Sequence, residues 1–170
     1  MTGTRPRWRP AYVGVGSNLD DPPSQVRHGC AVLEKLPDSC FAARSGLWRS
    51  APMGPPDQPD FVNAVAAFLT RLEPRELLDR LQAEEAARGR QPDRARWGPR
   101  ILDLDLLVLG SLVIDEPGLR LPHPGIPERN FVLLPLAEIA PHLVVPGMGS
   151  VVKLLSRLGE AAGRIERMDN

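Results

Sequence analysis

Two aspartates interrupt the most apolar run of this chain, and that interruption constrains the fold more than any other feature. Residues 96–110 read Arg-Trp-Gly-Pro-Arg-Ile-Leu-Asp-Leu-Asp-Leu-Leu-Val-Leu-Gly. The second half, rich in branched apolar side chains and closed by Gly110, has the length of a buried strand. Aspartate is disfavoured in strands because its short side chain competes for backbone groups, so two of them there need a reason. With a side-chain period of two, Asp103 and Asp105 point to one face, roughly 7 Å apart along the strand. Leu102, Leu104 and Leu106 point to the other. Such a pair suits cations; the bland alternative is an edge strand with two solvated carboxylates. The residues just upstream favour a site. Arg96, Trp97 and Arg100 flank a bend fixed by Gly98 and Pro99, so guanidinium forks, an indole face and an acidic pair meet at one corner. That corner fits a nucleotide with its metal: carboxylates for the ion, arginines for phosphate oxygens, an aromatic plane for a heterocycle.

The remaining composition narrows the setting. A chain of 170 residues is expected to form one domain, here residues 11–170, preceded by a disordered basic tail at residues 1–10. The formal net charge is zero, so no global field recruits nucleic acid or an anionic membrane, and neither partner is expected. Cys30 and Cys40 are the only cysteines and have no metal-ligand spacing, which points to a reducing cytoplasm. The first ten residues lack the apolar segment of a signal peptide, and no stretch approaches a membrane span. A monomer is the expectation.

Taken in order, residues 11–16 have strand character. Gly14 and Gly16 match neither the dinucleotide glycine spacing nor a Gly-Lys-Ser/Thr loop, so close packing explains them better. Residues 17–21 supply turn and cap types. An amphipathic helix is predicted at residues 23–36, placing Cys30 in the core, and a strand at residues 41–48. Residues 49–60 are too proline-dense for regular structure and read as a constrained loop. Residues 61–69 form a third strand, in which the amide of Asn63 must find partners. Residues 74–87 form a helix opened by Pro74, with Gln82 and Glu85 beside its apolar stripe, where side chains are ordinarily solvated. Residues 89–96 are a polar, arginine-bearing connector. A short hairpin arm is expected at residues 111–114, a rigid Pro122-His123-Pro124 segment after it, and helices at residues 131–139 and 151–158. The order strand, helix, strand, strand, helix, strand predicts an α+β sandwich of ferredoxin-like topology, a mainly antiparallel sheet with helices packed on it.

The segment at residues 96–110 is similar to the signature of the 6-hydroxymethyl-7,8-dihydropterin pyrophosphokinase family of folate biosynthesis. Three other blocks resemble the same family: Gly-Val-Gly-Ser-Asn-Leu at residues 14–19, Asp-Gln-Pro-Asp-Phe-Val-Asn-Ala at residues 57–64, and the late segment with Leu-Pro-His-Pro at residues 121–124 and Arg-Asn-Phe at residues 129–131. The resemblance implies transfer of diphosphate from ATP, as co-substrate, to 6-hydroxymethyl-7,8-dihydropterin. It implies that Asp103 and Asp105 hold two Mg2+ ions and that Arg90 and Arg100 act in catalysis. ATP contacts would fall to Gln82, Glu85, Arg90, Arg96, Trp97, Arg100, Leu106, Leu119, His123 and Arg129. The pterin pocket would be lined by Ser50, Ala51, Met53, Phe61, Asn63, Trp97 and Phe131.

Two departures stand out. Pro92 and Asp93 occupy positions where the family often carries basic residues, so Arg94 would have to compensate, and Ile101 stands where threonine is usual. A rival reading, an RNA-binding module of ferredoxin-like topology using Arg90, Arg94, Arg96 and Trp97, lacks an aromatic-rich strand, with aromatics at 5% of the chain. A homologue that binds pterin without catalysis is the other alternative.

Overall fold

The computed structural model describes residues 6–89 and 98–168. The expected connector therefore lies mostly outside the described residues, as do Arg90, Pro92, Asp93, Arg94, Arg96 and Trp97. Strand β1 (Arg9–Ser17) begins two residues before the apolar pattern does, because Arg9 and Pro10 pair with Thr70 and Leu69. Helix α1 (Pro22–Glu34) follows, then β2 (Ser39–Arg44), β3 (Trp48–Ser50), β4 (Phe61–Thr70), α2 (Pro74–Ala87) and β5 (Asp103–Leu109). Beyond these come the hairpin β6 (Ile114–Glu116) and β7 (Leu119–Leu121), α3 (Asn130–Ile139), the small pair β8 (Val144–Val145) and β9 (Gly149–Ser150), α4 (Val151–Leu158) and β10 (Ile165–Arg167).

The main sheet runs β10-β3-β4-β1-β5, with β2 also paired to β4, and every pairing in it is antiparallel. Strands β1, β2, β4 and β5 with helices α1 and α2 form the expected ferredoxin-like unit. The strand expected at residues 41–48 is split into β2 and β3. At the break the Ser45 backbone N–H donates to the Val65 carbonyl at 2.9 Å, and the Ser45 hydroxyl accepts the Val65 N–H at 2.9 Å. A side chain thus replaces one rung of the ladder, and the chain bends out before β3 rejoins β4.

Both faces of the sheet are covered. Ala11, Val13 and Val15 on β1 and Ala64, Ala66 and Phe68 on β4 pack against Val26, Cys30 and Leu33 of α1 and Leu77 and Leu81 of α2. Burial pushes the Cys30 thiol above its ordinary value, consistent with the core position expected for it. On the opposite face Val65, Leu107 and Val108 meet Leu133 and Leu136 of α3 and Val151 and Leu154 of α4. Strand β5 serves both layers through a bulge: Val13 is opposite Leu106 and Tyr12 opposite Val108, leaving Leu107 as the extra residue.

Helix α1 lies close on the sheet because Gly29 has no side chain. A Cβ there would stand 2.7 Å from Val15 Cγ1 and 3.0 Å from Leu102 Cδ1. Gly29→Ala is therefore expected to destabilise the fold by about 1–3 kcal/mol through overpacking, despite the better helix propensity of alanine. Urea unfolding followed by circular dichroism checks this; an unchanged or raised midpoint would remove the close-approach argument.

Candidate functional site

The carboxylates and the glycines of β1 are one feature. In the sheet register Gly16 lies opposite Asp103 and Gly14 opposite Asp105, while on the other edge of β1 Gly16 faces Asn63 and Gly14 faces Val65. The two glycines leave a bare strip of backbone between the aspartates and the amide of Asn63. A Cβ at position 16 would fall 2.6 Å from Asn63 Oδ1, so this strip exists only if residue 16 is glycine. Asn63 Nδ2 donates to Ser50 Oγ at 3.1 Å, which places both side chains on the same wall.

Over this floor lies a cavity of about 450 Å³. One end is lined by Ser50, Ala51, Met53, Phe61, Asn63 and Phe131. The other end collects Gln82, Glu85, Arg100, Leu106, Leu119, His123 and Arg129 around Asp103 and Asp105. All of the site residues expected from sequence that fall among the described residues therefore meet in one place. Trp97, Arg90 and Arg96 lie outside them.

The acidic end is held electrostatically and by backbone hooks. Arg129, with its side chain 13% exposed, brings Nη1 to 3.7 Å from Asp105 Oδ2, and its guanidinium carbon lies 5.8 Å from the centre of the Phe131 ring. Gly125 makes room for it: a Cβ there would fall 2.6 Å from Arg129 Nε. His123 is hung on β5 by its backbone N–H, which donates to the Leu107 carbonyl at 2.8 Å. Its Nδ1 accepts the Gly125 N–H at 3.0 Å, so the neutral ring carries its proton on Nε2.

Two residues behave differently from their sequence reading. Asn18, a turn or cap type by sequence, does not cap α1; that position is Asp21, which makes no side-chain cap. Asn18 is buried instead. Its Nδ2 donates to Gln58 Oε1 and to the Pro59 carbonyl, both at 3.0 Å, and its Oδ1 accepts the Arg100 N–H at 2.8 Å. The proline-dense loop and the approach to β5 are thus pinned to the end of β1 by one amide. Glu85, expected on a solvated helix surface, is 4% exposed and accepts the Leu104 N–H at 2.7 Å. The tertiary fold overrides the helix-surface reading because α2 packs along β5.

Sequence reasoning also missed parts of the lining. Gly14 and Gly16 were read as packing residues only, and Leu78, Arg120 and Val132 were not singled out, yet all of them line the cavity. The signal for Asn18 was the same as for Asn63, an amide beside an apolar strand with no obvious partner.

Among the described residues there is no cluster of three or more histidine, cysteine, aspartate or glutamate side chains able to hold a metal. Asp103 and Asp105 supply two hard carboxylates facing an open cavity, which suits Mg2+, an ion that keeps waters and takes phosphate oxygens in place of a full protein cage.

A ferredoxin-like sheet thus carries a carboxylate pair and, across its glycine floor, the amide of Asn63 with the rings of Phe61 and Phe131, all lining one cavity. The chain belongs to the 7,8-dihydro-6-hydroxymethylpterin-pyrophosphokinase (HPPK) family, whose sequence model matches residues 12–141. It is 48% identical over 145 residues to a 2-amino-4-hydroxy-6-hydroxymethyldihydropteridine pyrophosphokinase of Pseudomonas aeruginosa, covering 85% of this chain and 89% of that protein. A protein of the same name from Haemophilus influenzae is 41% identical over 150 residues, covering 88% and 93%. Among solved structures, the wild-type Plasmodium falciparum HPPK-DHPS with pterin and p-hydroxybenzoate superposes with a TM-score of 0.69 at 12% identity over 97% of this chain. The same protein with pteroate gives 0.67 at 12% identity over 89%. This chain spans less than half of those longer chains, 47% and 42%. These structures share the fold.

Replacing Asn18 by alanine leaves the part-buried Arg100 N–H and the Pro59 carbonyl without the partners described. The expected loss of stability is about 1–3 kcal/mol for each group that finds no substitute. Urea unfolding of Asn18→Ala beside the wild type measures it, and a loss below the error of the method would show that water replaces the amide.

Proposed function

We propose that this chain transfers the diphosphate of ATP to 6-hydroxymethyl-7,8-dihydropterin, giving AMP and the pterin diphosphate, as a step of folate biosynthesis. The observation that carries the reading is the cavity itself: a carboxylate pair and an amide-bearing aromatic pocket stand at opposite ends of one glycine-floored cleft. The names of the relatives suggest the substrates, and the acidic and the amide-and-aromatic lining of the cavity supports a place for each. We assign the chain to the cytoplasm as a monomeric, single-domain enzyme. Among the described residues no helix is long and apolar enough to cross a membrane.

In this reading Asp103 and Asp105 would hold two Mg2+ ions, which would supply positive charge against the transferred phosphates. The rest of the work falls to the chain's own groups. Arg100 and Arg129 sit at the acidic end, where their guanidinium groups balance phosphate charge that two carboxylates alone would repel. His123, carrying its proton on Nε2 at neutral charge, is a hydrogen-bond donor toward that end. Gln82, Leu106 and Leu119 bound the nucleotide side. Asn63 and Ser50 read the polar edge of the pterin, while Phe61 and Phe131 offer faces to its ring. Arg90, Arg96 and Trp97 lie outside the described residues; Arg90 is assigned a catalytic role and Arg96 and Trp97 ligand contacts on the family resemblance.

Identification of the nucleotide product tests the reaction. Incubation with ATP, Mg2+ and the pterin alcohol should yield AMP; ADP would indicate transfer of a single phosphoryl group, and absence of turnover a binding role. Asp103→Asn removes the charge and keeps the shape, so turnover should fall by about 100-fold or more with the thermal midpoint little changed. Near-normal turnover at limiting Mg2+ would overturn the metal assignment. Asn63→Ala should weaken pterin affinity by about tenfold, the equivalent of about 1.4 kcal/mol, and leave affinity for an ATP analogue nearly unchanged. Calorimetric titration with each ligand distinguishes this from a general loss of structure, in which both would fall together.

A further inference from the structure

Among the described residues, strand β5 is hydrogen-bonded to a neighbouring main-sheet strand on one side only, that of β1. In an antiparallel ladder successive residues direct their backbone groups to opposite sides, so a residue lying between two that bond to β1 turns its N–H outward. Leu104 is that residue. It sits between Asp103 and Asp105, and its N–H meets the carboxylate of Glu85 from α2 at 2.7 Å. Both partners are buried, with Leu104 and Glu85 each 4% exposed. A buried amide without an acceptor is strongly unfavourable, and here it would lie in one of the two peptide units that link Asp103 to Asp105.

We propose that Glu85 is a positioning residue for the carboxylate pair: by accepting the Leu104 N–H on the outer edge of β5, it holds Asp103 and Asp105 at the separation needed for cation binding. The inference rests on the functional reading above and deepens it, because it concerns the backbone behind the carboxylates. What this contact requires of residue 85 is reach and an acceptor atom: a glutamine oxygen can accept the same N–H, whereas aspartate, one methylene shorter, cannot span the distance from α2 without moving the helix. Outer-shell partners of metal-binding carboxylates act in this way generally, by fixing orientation.

The two conservative variants separate these possibilities. Mn2+, read by the electron paramagnetic resonance of the free ion, is titrated into each protein with α,β-methylene-ATP, which cannot release AMP. Glu85→Asp is expected to raise the half-saturating Mn2+ concentration about 10- to 100-fold, and Glu85→Gln by no more than about threefold. In parallel, exchange of the Leu104 amide with solvent should be slow in the wild type and in Glu85→Gln, and fast in Glu85→Asp. Equal Mn2+ affinity in Glu85→Asp and wild type would overturn the proposal, as would a Glu85→Gln defect as large as that of Glu85→Asp. If Glu85→Asp does not fold, Glu85→Gln decides: slow Leu104 exchange with near-wild-type Mn2+ affinity supports the proposal, and fast exchange or lost affinity refutes it. Wild-type protein that makes AMP and binds Mn2+ while the variants disobey this order removes the role of Glu85 alone; wild-type protein that does neither removes the functional reading.

Discussion

The pairing of β1 on both of its edges is the interaction on which the rest depends. Along most of its length this strand exchanges backbone hydrogen bonds with β4 on one side and β5 on the other, so the separation of Asn63 from the carboxylates is set by the width of the sheet. Inter-strand spacing is close to invariant, about 4.8 Å per step. A cleft spanning three strands inherits a fixed width in this way, independent of loop conformation. The two glycines then decide whether that span is open floor or filled core.

Polar groups placed in this core are tolerated because each has a hydrogen-bond partner. Asn18 joins three segments through a single amide, Ser45 replaces a missing rung of the ladder, and Asn63 meets Ser50. Each such group would be unfavourable alone and is stable only in the assembled fold, which makes it specific to one register. A slip of one residue between β1 and β5 would turn both aspartates toward α1 and α2, into the face now packed by Leu104 and Leu106.

Much of this was legible in the sequence. The alternation around Asp103 and Asp105 fixed their common face, and Pro74 and the leucine stripe fixed α2, because local periodicity and caps carry those features. The ferredoxin-like order followed from the succession of elements. The break between β2 and β3 was hidden because it depends on Val65, a partner twenty residues away in sequence. Glu85 looked like any exposed helix glutamate, since nothing local tells that β5 runs beside it. Asn18 resembled a cap for the same reason: turn residues and buried amide clamps have the same composition and differ only in what folds over them. β10 is three residues long and gave no periodic signal at all.

That last strand has a consequence for the behaviour of the protein in concentrated solution. Unpaired strand edges recruit other chains. β3, which carries Ser50 on the cavity wall, would present such an edge if β10 did not lie against it through Ile165, Glu166 and Arg167. The cover is fastened on both sides, by Arg164 to the Asp60 carboxylate at 2.9 and 3.0 Å and by Arg167 to Glu138 at 2.6 Å. The two arginine side chains are 59% and 60% exposed, so high salt weakens these pairs. Exposure of the β3 edge and disturbance of the cavity wall at Ser50 would then go together.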